Sequence, residues 1–270
     1  MKRLVTIVGL CVTLLLCGSV QAADSGASTL SRIVENKEVR VGMSGSQPPF
    51  VMKDRKGNLV GFEVDMAQAL ADAMGAKLTI VQKPFAQLLP ALEHGDVDLV
   101  MSGMTMTAER SLSFTFVGPY YVSGKSVLTQ DQTLARVERT TELNQESLTL
   151  VALDGSTSQL YVQSDLPKAT LLTAPDYAGA VNMVLNGKAR AMVADLPACV
   201  VTMLRYPDTG LTTSSALLTL EPIGVAMPLD DPVLEKYITN ILEAVEATGQ
   251  IDELKKYWFE GARWLAMMPE

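Results

Sequence analysis

The chain has 270 residues, 48% of them apolar and 19% charged, with 19 glycines and 13 prolines, which excludes a collagen-like, low-complexity or disordered chain. Acidic residues outnumber basic ones by 30 to 22, for a net charge of −8, and no cluster of Lys and Arg forms the footprint of a nucleic-acid binder. A single histidine, His94, leaves little room for Ser–His, Cys–His or multi-histidine metal chemistry.

Met1-Lys2-Arg3 is a short basic start, followed by an apolar stretch from Leu4 to Leu16 and by Val20-Gln21-Ala22. That pattern predicts a secretory signal peptide, residues 1–22, cleaved after Ala22. The stretch is shorter than the about 20 residues of a spanning helix, which disfavours an uncleaved anchor. Lipidation at Cys17 is disfavoured as well, because bulky Leu16 stands where a small residue is needed. Cleavage removes Cys11 and Cys17 and leaves Cys199, among apolar neighbours, as a buried and inert thiol. The mature protein is expected to be soluble outside the cytoplasmic membrane.

Val39, Val41 and Met43 alternate with Arg40 and Gly42, which predicts a strand. Phe62, Met66, Leu70 and Met74 recur every four residues before Gly75, an amphipathic helix with a glycine stop. Leu78–Val81 reads as a strand, Ala86–Glu93 as a short helix and Val97–Met101 as a buried strand. The alternation continues through Leu148–Leu153, Ser158–Ser164, Asp176–Asn186 and Ala189–Val193. Asp231-Pro232 then caps a long helix through Val245. Such alternation predicts an α/β fold with largely parallel sheets. Tyr120–Gly124 and Glu221–Gly224 look like two crossings between lobes.

Gly124-Lys125-Ser126 resembles the tail of a phosphate loop, but Gly118 leaves five intervening residues where four are needed, and Pro119 and two tyrosines intervene. Met101, Met104 and Met106 read as core filler rather than soft-metal ligands, and His94 as a solvated turn residue. No metal or cofactor is expected. The run Ser102 to Arg110 carries more information: a strand end opens into a glycine turn with hydroxyls, and a helix is expected to start near Thr107. A cation in that first turn is out of place on dipole grounds unless it points at a bound anion. A pair with Glu109 or another carboxylate is the alternative.

Val39-Arg40-Val41-Gly42, Pro48-Pro49-Phe50, Leu59 to Asp65, Ser102 to Arg110, Pro119-Tyr120-Tyr121, Val193-Ala194-Asp195 and Tyr257-Trp258-Phe259 occur in an order that resembles the periplasmic amino-acid-binding proteins of ABC importers. The resemblance implies a two-lobed periplasmic-binding-protein fold, each lobe a mostly parallel sheet flanked by helices and joined by two hinge strands. Residues 23–120 and 224–270 would form one lobe and 125–220 the other, with hinges near 121–124 and 221–224. It implies that Arg110 holds the ligand α-carboxylate with Thr105 and the backbone near Gly103, and Ser102 is counted with the ligand-binding residues. Asp195 would take the α-ammonium. Ser156 and Thr157, after the strand ending at Leu153, would contribute from the second lobe, and Phe85 would form an aromatic wall. Leu153 is counted with the ligand-binding residues. A membrane permease would be the partner, and the chain would act as a monomer.

Two departures bear on the ligand. Gln47 replaces an aromatic residue usual before Pro48-Pro49-Phe50, and Ser44 stands where binders of basic amino acids often carry aspartate. Both offer neutral donors and acceptors, so a polar or neutral amino acid is expected over arginine, lysine or histidine. Asp154, at a turn, is expected to be solvated. The same fold is similar to that of exported cyclohexadienyl dehydratases, which use a buried glutamate near the position of Asp195. Here that stretch reads Leu196-Pro197-Ala198-Cys199, without glutamate, so no enzymatic activity is expected. A receptor sensor lobe is the third reading, and it lacks a transmembrane segment and a signalling domain.

Overall fold

The computed structural model describes residues 28–214 and 216–269; the expected signal peptide and Cys17 lie outside them. In chain order the first half contains α1 (Thr29–Asn36), β1 (Glu38–Met43), β2 (Ser46–Gln47), β3 (Val51–Lys53), β4 (Leu59–Val60), α2 (Phe62–Ala73), β5 (Lys77–Gln82), α3 (Leu88–Glu93), β6 (Leu99–Val100) and β7 (Phe114–Ser123). The chain continues through β8 (Lys125–Thr129), α4 (Thr140–Leu143), β9 (Thr149–Leu153), α5 (Thr157–Asp165), β10 (Thr170–Ala174), α6 (Tyr177–Leu185), β11 (Ala191–Asp195), α7 (Leu196–Arg205) and β12 (Thr212–Thr213). It closes with β13 (Glu221–Pro228), α8 (Pro232–Ala247) and α9 (Gln250–Lys255).

Two five-stranded sheets result, in the orders β5-β1-β6-β13-β7 and β10-β9-β11-β8-β12, one per lobe. Each is mostly parallel, as expected: four of its five strands run one way and one is reversed, β13 in the first and β8 in the second. In the first, β1 runs parallel to β5 and β6, whereas β13 is antiparallel to both β6 and β7. In the second, β9 runs parallel to β10 and β11, whereas β8 is antiparallel to β11 and β12. The reversed strands, β8 and β13, are those by which the chain enters the second lobe and returns to the first. A strand that leaves one sheet and returns by a neighbouring strand comes back in the opposite direction. A third, three-stranded antiparallel sheet, β2-β3-β4, was not legible as strands in the sequence.

The helices follow their side-chain chemistry. On α2, Phe62, Met66 and Leu70 face the core, and Gly75 takes φ +61° just beyond the end. Asp231 caps α8 by accepting from the Leu234 amide at 3.0 Å, with Pro232 at its first position. Asp176 caps α6 in the same way through the Gly179 amide at 2.7 Å. Phe50, Phe62, Tyr121 and Phe259 meet in one aromatic cluster, with Tyr121 stacked on Phe259 at 4.2 Å between ring centres. Four of the sequence motifs thus converge on one piece of core beside the first crossing.

Where the crossings pass each other the backbone is close. A Cβ on Gly124 would lie 2.3 Å from the Thr219 carbonyl oxygen, so a side chain there would force the two connecting segments apart. One apolar cluster runs from Phe85 and Leu88 of the first lobe to Leu153 and Tyr177 of the second, so the lobes lie against one another.

Candidate functional site between the lobes

Parallel strands deliver their C-terminal ends to one edge of a sheet, and loops leaving that edge form the crevice of an open α/β fold. In the first lobe those ends lead to Ser44 after β1, Phe85 after β5 and Ser102 after β6. In the second they lead to Ser156 after β9, Tyr177 after β10 and Asp195 at the end of β11. The two edges face each other.

Arg110 bridges them. Its Nη1 donates to the Thr105 carbonyl at 2.9 Å and its Nη2 to the Gly155 carbonyl of the opposite lobe at 3.2 Å. The guanidinium sits 6.0 Å from the centre of the Phe85 ring. Among the described residues no carboxylate lies within ion-pair distance of it. Burial pulls its pKa down, against the attraction of Glu221, Asp195 and Glu109. The expected helix at Thr107 is not formed: residues Arg110–Leu112 make a single 3₁₀ turn, and the Arg110 amide donates to Thr107 Oγ1 at 3.1 Å. So short a turn has no appreciable dipole, and the position of Arg110 is set by its carbonyl contacts.

Ser44, Gln47 and Ser102 form one buried network. Ser102 Oγ lies 2.9 Å from Ser44 Oγ and 2.8 Å from Gln47 Oε1, and accepts from the Ser44 amide at 3.0 Å. Tyr177 brings its hydroxyl beside Gln47 and the Asp195 backbone from the other lobe. Thr105 Oγ1 and Thr157 Oγ1 lie 3.3 Å apart across the cleft. Ser156 Oγ is committed to the turn that joins β9 to α5: it donates to the Leu153 carbonyl at 2.6 Å and accepts from the Gln159 amide at 3.2 Å. Leu153 has its side chain in the apolar cluster and meets the site through that carbonyl. Asp154 is exposed.

The Gly103 amide points away from the cleft, into the Glu63 carboxylate, at 2.9 and 2.8 Å from its two oxygens. Glu63 is fully buried and also accepts from the Tyr120 hydroxyl at 2.5 Å. Desolvation pushes its carboxyl up to about 7, although both hydrogen bonds pull the other way. Thus Glu63 fixes the Gly103 turn from behind.

Asp195 accepts from Lys125 Nζ at 2.9 Å, and Glu221 Oε2 lies 3.6 Å from the same ammonium. Sequence reasoning missed Lys125, Glu221, Tyr177 and Glu63. Lys125 drew notice only in Gly124-Lys125-Ser126, which proves to be the crossing into β8 rather than a phosphate loop. A groove of about 490 Å³ lies beside the network, lined by Ser44, Pro48 and Lys83 on one side and by Tyr177, Thr202 and Arg205 on the other. Among the described residues no group of three His, Cys, Asp or Glu could hold a metal, and no helix is long and apolar enough to cross a membrane.

The cyclohexadienyl dehydratase of Pseudomonas aeruginosa is 28% identical to this chain, over 94% of the chain and 93% of that protein. The ABC transporter arginine-binding protein 1 of Escherichia coli is 27% identical over 83% and 91%. A solved structure of a putative binding component of an ABC transporter from Wolinella succinogenes, complexed with lysine, is 37% identical with a TM-score of 0.80, over 85% of this chain and 99% of that one. The model of the bacterial extracellular solute-binding proteins, family 3, matches residues 39–261, and the chain belongs to that family.

Proposed function

We propose that this protein captures an amino acid between its two lobes and delivers it to the membrane permease of an ABC importer. The observation that carries the reading is Arg110: a half-buried guanidinium, braced from both lobes by neutral carbonyls, has no carboxylate of its own among the described residues. A partly desolvated cation in that state is suited to a ligand carboxylate. Asp195, Thr105 and Thr157 surround it with a carboxylate and hydroxyls, as a zwitterion leaving water requires. Ser44 and Gln47 present neutral polar groups, which supports a polar or neutral side chain on the ligand.

Both faces of the site come from one chain, which supports action as a monomer. The lobes are taken as residues 23–120 with 224–270 and residues 125–220, bending near 121–124 and 221–224. Met1–Ala22 would direct export to the periplasm. Binding without chemistry is the reading favoured over a dehydratase, because α7 opens with Leu196-Pro197-Ala198 and the buried acids Asp195 and Glu221 are both engaged with Lys125. A thermal-shift screen against the twenty amino acids tests the proposal. At least one should raise the melting temperature in a concentration-dependent way; no shift from any of them would refute it.

A further inference from the structure

Lys125 is 1% exposed, at the first position of the strand that enters the second lobe. A buried ammonium is tolerated only when it is well paired. Lys125 has two partners, Asp195 Oδ1 at 2.9 Å and Glu221 Oε2 at 3.6 Å. The first is its direct neighbour in the antiparallel β8–β11 register, and the second opens the returning strand β13. Thr219 fixes the arrangement: its hydroxyl donates to Glu221 Oε1 at 2.8 Å and accepts from the Lys125 amide at 3.1 Å. The second Asp195 oxygen makes no hydrogen bond among the described residues. Arg110 feels Glu221, Asp195 and Glu109. Glu109 is exposed to solvent, whereas Glu221 and Asp195 are buried with Lys125. The Thr105 that Arg110 bonds pairs with Ile223, two residues from Glu221, so Arg110, Lys125, Asp195 and Glu221 are counted together.

Two cations and two carboxylates leave the unliganded cleft neutral. Lys125 and its two acids together carry one negative charge, and Arg110 carries one positive charge. A zwitterion can set its carboxylate at Arg110 and its ammonium at the open Asp195 oxygen and keep the sum at zero. A dibasic amino acid adds one positive charge that nothing in this group balances.

We propose that Lys125 sets the charge class of the ligand: by holding Asp195 and Glu221 together it admits amino acids of zero net charge and disfavours dibasic ones. The proposal rests on the reading of the cleft as an amino-acid site and adds the residue that selects within it. Without the Lys125 ammonium the same carboxylates would hold one unbalanced negative charge, which favours a dibasic ligand.

Calorimetric titration at pH 8 of the wild type, Lys125→Met and Glu221→Gln against L-glutamine, L-serine, L-leucine, L-lysine and L-arginine tests this. The wild type should bind the best neutral ligand at least tenfold tighter than either dibasic one. Lys125→Met should move the ratio toward the dibasic ligands by about a hundredfold, and Glu221→Gln should move it the opposite way. A wild type that prefers lysine or arginine, or a ratio within threefold of wild type in Lys125→Met, would overturn the proposal. If Lys125→Met does not fold, an unchanged ratio in Glu221→Gln overturns it alone. A wild type that binds none of the twenty amino acids would instead defeat the reading of the site, leaving the two failures distinct.

Discussion

Arg110 and Gly155 join the two lobes directly: Nη2 of the arginine donates to the glycine carbonyl at 3.2 Å. Gly155 has φ +71°, and a Cβ there would lie 2.9 Å from both Cα and Cβ of Ala86 in the opposite lobe. The contact exists only when the lobes are together.

Gly155→Ala should therefore act on closure more than on folding. The left-handed φ costs about 1 kcal/mol in any state, whereas the clash with Ala86 adds about 1–3 kcal/mol of overpacking in the closed form alone. Ligand affinity should fall about tenfold or more. Small-angle scattering should show the radius of gyration shrinking on ligand addition for the wild type and shrinking less for the variant. Identical profiles with and without ligand for a wild type that binds would count against hinge closure.

Glu63 makes stability depend on pH. Its carboxyl is raised from 4.5 to about 7, so between those values the folded protein keeps a proton that the unfolded chain has lost. Stability should therefore fall as pH rises through that window, by up to about 3 kcal/mol from this group. Glu63→Gln should flatten this part of the profile. Urea unfolding at pH 4.5, 6 and 8 checks it, and equal slopes for variant and wild type would refute the assignment.

Cys199 is fully buried, and burial pushes its thiol up to about 12. The folded protein should resist an aromatic disulfide reagent at pH 8 and react promptly once unfolded in guanidinium. Rapid stoichiometric labelling of the native state would mean that α7 opens readily.

Turnover of prephenate or arogenate should stay at background. Ala198 is buried where the dehydratase reading requires an acid, and Lys125 engages the nearby carboxylates. Product formation lost on mutating Asp195 or Glu221 would place the protein among the enzymes.

Side-chain periodicity made most helices and parallel strands legible. Met66 and Leu70 mark α2, and Asp231-Pro232 marks the start of α8 to the residue. What the pattern could not carry was pairing across long sequence distances. The antiparallel hinge strands come from β13 meeting β7 about a hundred residues away, and nothing local to either records that. Arg110 stood out because a cation in the first turn of an expected helix is out of place on dipole grounds, although the chain forms only a 3₁₀ turn there. Lys125 did not, because all five residues of β8 are buried and its partners lie on β11 and β13. Glu63 reads as an ordinary acid in the first turn of a helix, yet its side chain is spent on Gly103 and Tyr120.

The central claim is that Arg110 receives the carboxylate of an amino acid held between the lobes. Isothermal titration of the wild type and Arg110→Ala with the amino acid that gives the largest thermal shift tests it most directly. The wild type should bind one equivalent, and the variant, with an unchanged circular dichroism spectrum, should bind about 10²- to 10³-fold more weakly, a loss of about 3–4 kcal/mol. A folded Arg110→Ala protein that binds the same amino acid with wild-type affinity would contradict the account.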